Sequence, residues 1–325
     1  AGVYMVSRAS ILFASAPTIM ILVAIIGLLT ALFAASIGLV QNDIKKVLAY
    51  STISQLGYMF LAAGVGAFSA SIFHVMTHAF FKALLFLGAG SVIHGMHEEQ
   101  NIQNYGGLKK YMPKTYATFL IAALAISGFP GLSGFFSKDE ILWYAYANGG
   151  FVFWLIGALT AMLTAFYIFR LFSLTFLGEE RFDHHKIHPH ESPSVMTIPL
   201  IILAVLSVIG GYVGIPEVFS GENGNLFEKW LAPIYEPAEQ KIMHYGFHTH
   251  TQEILLMTIS VILALSAIYF AFYVYTKNKN IAESISIRFR KFYNLLLNKY
   301  YVDEIYDAAI VNPIKIGSEK VLWKF

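Results

Sequence analysis

Residues 69–93 read SASIFHVMTHAFFKALLFLGAGSVI, an apolar run that carries three basic side chains, His74, His78 and Lys82, at four-residue intervals. About 20 helical residues cross a bilayer, so this run is long enough to span a membrane. Residues four apart on a helix are offset by only about 40°, and all three side chains therefore lie on one stripe. The stretch predicts a membrane-spanning helix with titratable groups buried at membrane depth.

The composition of the 325-residue chain indicates the same class of protein. Hydrophobic residues make up 57% and charged residues 13%, against about 25% charged in soluble domains. Several other apolar runs exceed the length of a span, and the predicted fold class is an all-α polytopic transmembrane helical bundle. The chain has no cysteine, which excludes disulfides and iron–sulfur clusters held by its own thiolates. The few basic residues lie in short loops, so nucleic acid is not an expected partner.

We predict seven membrane passages, and one of them is broken. The fourth is interrupted by GFPGLSG at 128–134, where proline and glycines free backbone groups that membranes tolerate only inside protein or beside water. Lysine and arginine recur in alternate loops, which places those loops in the cytoplasm and the loops near residues 66, 149 and 216–252 outside. The predicted passages are 17–40, 46–66, 69–93, 113–148, 151–177, 195–215 and 253–275.

The basic stripe is interpreted as a proton relay. Charged groups at membrane depth are costly and commonly line proton or ion routes, and an imidazole can accept a proton and donate another. A purely structural hydrogen-bond cluster remains the alternative. A metal site built on His74 and His78 is disfavoured, because no carboxylate joins that face of the helix.

A second candidate site follows the helix break, in the sequence FFSKDEIL. Ser137 and Glu140 have the spacing of a capping box, which predicts that Ser137 starts the second half-helix. Lys138 would then sit at the positive end of a helix dipole, where burial also disfavours the charged amine while Asp139 favours it. We therefore expect a lysine whose charge can be switched, and a static Lys–carboxylate pair is the alternative.

Other polar groups receive plainer interpretations. Ser51, Gln55 and Tyr58 form a stripe on the second span, for which interhelical hydrogen bonding is favoured over lining a water path. Arg170 is expected to snorkel towards the inner surface. The histidine-rich loop at 183–190 is expected to be solvated and to hold no metal.

Four stretches carry a family resemblance. QNDIKKVLAYSTISQLGYM (41–59), FHVMTHAFFKALLFLGAGSVIH (73–94) and GFFSKDEIL (134–142) resemble the antiporter-like membrane subunits of respiratory complex I, the NADH:quinone oxidoreductase. The tail NKYYVDEIYDAAIVNP (298–313) is similar to the subunit L branch of that family. The resemblance implies a translocase subunit that conducts protons while electron transfer from NADH to quinone takes place elsewhere.

The resemblance also implies roles for five residues in proton transfer. His74, His78 and Lys82 would belong to the central hydrophilic axis of the family. Lys138 would be the lysine of the broken helix, and Asp139 its acidic neighbour at the outlet. Two other functions remain open: an Mrp-type cation/proton antiporter subunit, which the tail disfavours, and a structural membrane subunit without transport.

Domain organisation and partners follow from the same resemblance. Residues 1–276 would form the transmembrane proton-channel domain, and 277–325 an amphipathic cytoplasmic-side segment leading to a lateral helix. In that segment Ile285, Phe289 and Phe292 recur on one face and basic residues on another, a pattern that predicts an interfacial helix on the cytoplasmic surface. We expect the family's first proton site to precede this chain and the lateral helix to follow it.

No cofactor is expected in this chain; NADH, FMN, iron–sulfur clusters and quinone would belong to partner subunits. Expected partners are the other complex I membrane subunits, especially the adjacent antiporter-like subunit M, and the lipid bilayer. A bacterial inner membrane is favoured over the mitochondrial one.

Overall fold

A computed structural model describes residues 1–221, 224–242 and 249–323. This part of the chain is helical, with one isolated β-bridge between Asp43 and Asn101 and no longer strand pairing, so the all-α prediction is confirmed. The α-helices are α1 (Gly2–Arg8), α2 (Ser10–Ala14), α3 (Pro17–Gly38), α4 (Ile44–Gly64), α5 (Phe68–Gly95), α6 (Pro113–Ser127), α7 (Ser133–Gly149), α8 (Phe151–Phe176), α9 (Ser194–Ile209), α10 (Glu217–Ser220), α11 (Leu226–Glu239), α12 (His250–Phe272), α13 (Lys279–Arg288), α14 (Arg290–Leu297), α15 (Val302–Tyr306) and α16 (Asn312–Gly317).

Each predicted membrane passage is helical in the structure. Among the described residues, five helices are long and apolar enough to cross a membrane: Pro17–Gly38, Phe68–Gly95, Phe151–Phe176, Ser194–Gly214 and His250–Lys277. The second predicted passage corresponds to the 21-residue helix α4. The fourth consists of two half-helices, α6 and α7, in place of one continuous span.

The break between α6 and α7 lies where the sequence predicts it. Gly128 and Gly131 have φ angles of +79° and +83°, a region that residues with a side chain rarely adopt. The prediction that Ser137 starts the second half-helix is wrong, because α7 begins four residues earlier at Ser133, with no side-chain cap. Gly134 permits this start, since any Cβ there would collide with the Ala125 carbonyl of α6.

Helices α3 and α4 touch along their backbones. A Cβ on Gly57 would lie 2.5 Å from the Ala31 nitrogen, and one on Gly27 would lie 2.6 Å from the Leu61 nitrogen. Small residues allow such close helix approach in membranes, where packing rather than the hydrophobic effect drives association. The Ser54 hydroxyl adds an interhelical hydrogen bond of 2.9 Å to the Ala31 carbonyl.

Arg170 holds the turn that leads into α4. It is buried, and its guanidinium donates to the Gln41 carbonyl and to the Asn42 side-chain oxygen, both at 2.6 Å. The predicted snorkelling is wrong because this turn supplies acceptors at the depth of the arginine. The neighbouring Asp43 carboxylate caps α4 by accepting from the Lys45 amide at 2.8 Å.

The chain divides into two compact units, Ala1–Lys279 and Asn280–Phe325. In the second unit, the amphipathic stretch around Ile285 and Phe292 is not one continuous helix. The chain leaves helical geometry at Phe289, with φ −109° and ψ 35°, and α14 begins at the next residue. The cytoplasmic surface location of this segment stays a prediction.

Candidate functional site: a buried stripe of polar groups across α4, α5 and α7

His74 joins three helices. Its ring lies fully buried on α5, with Nε2 3.1 Å from the Gln55 oxygen of α4 and Nδ1 2.9 Å from the Ser137 hydroxyl of α7. Either ring nitrogen can carry the hydrogen, so the imidazole can donate to one of these partners while accepting from the other, and the Ser137 hydroxyl has a second acceptor in the Ser133 carbonyl at 3.3 Å. Ser137 also lies 2.7 Å from the Thr77 hydroxyl, which extends the hydrogen-bonded chain along α5. Gln55, His74, Ser137 and Thr77 thus form one continuous hydrogen-bonded chain.

Lys82 lies on the same stripe two turns further along α5. Its buried ammonium group donates to the Ser51 hydroxyl of α4 at 2.8 Å. Ser51 and Gln55 therefore bond to the two ends of the basic stripe, and the Tyr58 hydroxyl donates to the Gly157 carbonyl of α8 at 2.5 Å. The predicted interhelical hydrogen bonding by the α4 stripe is confirmed, and two of its members also contact the candidate relay directly.

His78 lies between Lys82 and His74 in the sequence. The centroid of its ring is 6.1 Å from that of His74, and its Nε2 is buried with no hydrogen-bond partner among the described residues. The Phe81 ring meets it edge-on at 5.5 Å. No direct hydrogen bond joins the two imidazoles, so a proton passing between them needs an intervening group such as water.

Lys138 is buried next to Ser137, with 3% of its surface exposed. Its amine lies 5.4 Å from the centroid of the Tyr58 ring, and within the described part of the chain it has no hydrogen-bond partner. The Asp139 Oδ2 atom is likewise buried without a partner there. The two residues make no ion pair because consecutive helical side chains diverge by about 100°. The static Lys–carboxylate alternative is therefore not the arrangement observed.

The histidine-rich loop at 183–190 is separate from this stripe. His184, His185 and His188 are exposed, as predicted for a solvated loop, and His184 Nε2 lies 2.7 Å from a Glu180 carboxylate oxygen. Over residues 1–221, 224–242 and 249–323, no group of three or more histidine, cysteine, aspartate or glutamate residues could hold a metal ion.

Comparison with known proteins assigns the family. Residues 1–164 match the family described as "NADH:quinone oxidoreductase/Mrp antiporter, TM". Residues 169–322 match a second family, described as the C-terminal transmembrane part of an NADH dehydrogenase subunit of complex I. The chain belongs to the NADH:quinone oxidoreductase/Mrp antiporter family. The resemblance seen in the sequence motifs is thereby confirmed.

Relatives with curated names agree with this assignment. The chain is 40% identical over 386 residues to NADH-quinone oxidoreductase subunit L of Rhodobacter capsulatus, covering 100% of this chain and 54% of that protein. It is 44% identical over 349 residues to NAD(P)H-quinone oxidoreductase chain 5 of Picosynechococcus sp., covering 99% and 51%. The chain thus spans about half the length of these relatives.

The fold also resembles that of a solved structure, an Mrp complex from Dietzia sp. The TM-score is 0.67 at 23% identity, over 98% of this chain and 33% of that one. At this identity the likeness establishes the antiporter-like fold alone.

The structure brings together some of the predicted site residues and separates others. His74 and Lys82, both on α5, each bond to a member of the polar stripe on α4. Ser137 connects His74 to α7, the helix that carries Lys138. Asp139 instead faces a small void on the other side of α7. Sequence reasoning missed Thr77 and the linking role of Ser137. The position of Thr77, three residues after His74 on the same helix face, is the signal that could have identified it.

Proposed function

We propose that this chain is the proton-conducting part of a membrane subunit of a bacterial NADH:quinone oxidoreductase. The names of its relatives support membership of a quinone oxidoreductase complex. The buried stripe of polar groups supports proton transfer within this chain. The observation that carries the proposal is His74, which is hydrogen-bonded at both ring nitrogens between two different helices. An imidazole in that position can gain a proton at one nitrogen and release one from the other.

The proposed route starts at Lys82 and passes along α5 towards α7. The Lys82 ammonium releases a proton, which reaches His74 through His78 and intervening water. In the tautomer that carries its hydrogen on Nδ1, His74 gains this proton at Nε2 and releases the Nδ1 proton to the Ser137 hydroxyl, which passes its own proton on towards Lys138. Rotation of the Ser137 and Thr77 hydroxyls, with reversal of the Gln55 amide, restores the original direction of the hydrogen bonds. Each transfer moves one proton, and Lys82 stays a neutral amine until it takes up the next one.

Asp139 is proposed to receive the proton from Lys138 at the outlet through intervening water, since the two side chains do not contact each other. Lys138 has no fixed acceptor among the described residues, so its ammonium is free to transfer a proton when its surroundings change. The redox chemistry would take place in partner subunits that hold NADH, FMN, iron–sulfur clusters and quinone. The complex, with the adjacent subunit M as neighbour, would lie in the bacterial inner membrane.

Lysine substitution in the complete complex tests this proposal. We expect Lys82→Ala and Lys138→Ala each to slow proton pumping by reconstituted complex at least about tenfold, since a positioned proton carrier typically contributes that much or more. Lys46→Ala, which removes an exposed lysine from α4, is the matched control and should pump normally.

Three outcomes separate the candidate functions. Loss of proton pumping in both buried-lysine variants, with complex assembly intact, supports proton conduction. Undiminished pumping in both supports a structural subunit. Transport that depends on sodium would instead support an Mrp-type cation/proton antiporter.

A further inference from the structure

A cavity of about 210 Å³ lies between α7, the segment around α10 and α11, and the start of α12. Its walls carry four carboxylates and an imidazole, and we call it the acidic vestibule: Glu140, Glu217, Glu228, Glu253 and His250. These groups have no metal-binding arrangement within the described part of the chain. Clustered carboxylates and an imidazole can take up protons from water in the cavity and release them to it.

Glu140 is the deepest of these carboxylates. Only 7% of its surface is exposed, and its Oε2 atom has no hydrogen-bond partner among the residues that the structure describes. Its Oε1 accepts from the Asn225 side chain at 3.3 Å, and the same amide group donates to Glu228 at 2.9 Å. Burial, followed by the charge of Glu217, raises the pKa of Glu228. Carboxylates held close together and away from solvent are suited to retaining protons near neutral pH.

A smaller void lies beside Asp139 and shares part of its wall with this vestibule. Its volume is about 10 Å³, which is close to the space that one water molecule needs. Asp139, whose Oδ2 atom is buried without a partner in the described chain, lines the void together with Ser260. Trp143 and Glu253 line both the void and the vestibule, and Glu253 is the titratable residue of that shared wall.

We propose that Glu253 is the relay that carries protons from Asp139 into the acidic vestibule for release. The inference rests on the proposed proton-conducting function and specifies its exit. The O–H bond of protonated Asp139 breaks as its proton passes to water in the void, and that water transfers a proton to the Glu253 carboxylate. Asp139 becomes a carboxylate again and can accept the next proton from Lys138. Protonated Glu253 then releases its proton to water in the vestibule.

Glu253 also has a structural role that the test must separate from proton transfer. It lies in the first turn of α12, where an acidic side chain stabilises the helix dipole, and its carboxylate is 3.9 Å from His250. A glutamine at position 253 would remove both the negative charge and the group that can bind a proton. An aspartate would retain both, and it also suits the first turn of a helix.

The test uses the complete complex reconstituted into liposomes, with proton release and NADH oxidation followed together. We expect Glu253→Gln to lower the part of proton release per NADH that passes through this subunit at least about fivefold. Glu253→Asp should recover most of that loss. Glu236→Gln, at an exposed glutamate of α11 outside the vestibule, is the matched control and should release protons normally. Complex content and electron transfer to an artificial acceptor verify assembly.

The outcomes distinguish the exit from the function itself. If Glu253→Gln releases protons like Glu236→Gln while Lys138→Ala does not, the exit through Glu253 is refuted and the proposed function stands. If both Glu253→Gln and Lys138→Ala pump normally, proton conduction by this chain is refuted. Loss in Glu253→Gln without recovery in Glu253→Asp, in assembled complex, would assign Glu253 a packing role and also overturn the relay.

Discussion

Replacing Ser137 with alanine would remove one hydroxyl from the place where α5 and α7 meet. That hydroxyl lies 2.9 Å from His74 Nδ1 and 2.7 Å from the Thr77 hydroxyl. His74 keeps its bond to Gln55, and Thr77 keeps a weaker bond of 3.3 Å to a backbone carbonyl of its own helix. The alanine variant therefore leaves about one buried polar atom unpaired, at a cost of about 1–3 kcal/mol.

The same hydroxyl is the proposed bridge for protons between His74 and Lys138. If the cost of losing it is expressed in the barrier to transfer, each 1.4 kcal/mol slows the step about tenfold. We expect Ser137→Ala to slow proton pumping by about 5- to 100-fold while the complex still assembles. The measurement is proton uptake by proteoliposomes during NADH oxidation.

Ser127→Ala is the matched control for this experiment. Ser127 is also a buried serine beside the helix break, but among the described residues its hydroxyl bonds within its own helix, to the Ala123 carbonyl at 2.7 Å. We expect its substitution to leave pumping close to normal. Equal pumping rates in the Ser137→Ala and Ser127→Ala complexes would refute the connection from α5 to α7 through Ser137.

Two further predictions concern stability. Gly57→Ala should destabilise the assembled protein by about 1–3 kcal/mol, because its methyl group would lie 2.5 Å from the Ala31 nitrogen, whereas Gly90→Ala meets nothing within 4 Å and should be tolerated. Thermal unfolding in detergent measures both, and equal midpoints would contradict the close packing of α3 and α4. Burial and neighbouring glutamates, Glu228 first, raise the pKa of Glu239 to about 7, so its folded form retains a proton that the unfolded chain loses nearer pH 4.5. This group's contribution to stability is complete at low pH and falls as pH rises through 7, so Glu239→Gln should stabilise α11 by about 1–2 kcal/mol at pH 8 and hardly at pH 4. Hydrogen exchange in α11 checks this, and a pH-independent effect would contradict it.

Much of the fold could be predicted from the sequence because membranes allow few solutions. Apolar length determined the spans, and Gly128 with Gly131 determined the break. The start of α7 could not be predicted in the same way. A capping box is a local signal, and here a tertiary contact outweighed it, since Gly134 allowed the helix to begin against the Ala125 carbonyl.

The site was predictable along each helix and not between helices. Four-residue spacing was sufficient to place His74, His78 and Lys82 on one stripe of α5. It could not show that Ser137 would face His74, because that contact depends on how α7 rotates about its own axis. Arg170 shows the same limit. Its distance from the end of α8 suggested snorkelling, and its partners Gln41 and Asn42 came from a distant turn.

The contact between α3 and α4 determines which of the helices around the buried polar groups can move. Two helices whose backbones touch at Gly27 and Gly57 cannot rotate against each other without first moving apart. The backbone positions of Ser51 and Gln55 are therefore fixed relative to α3, although their side chains can still turn. Any cycle that alters the surroundings of Lys82 or His74 has to be produced by displacement of α5 or of the short half-helix α7, which is anchored on one side by a glycine hinge.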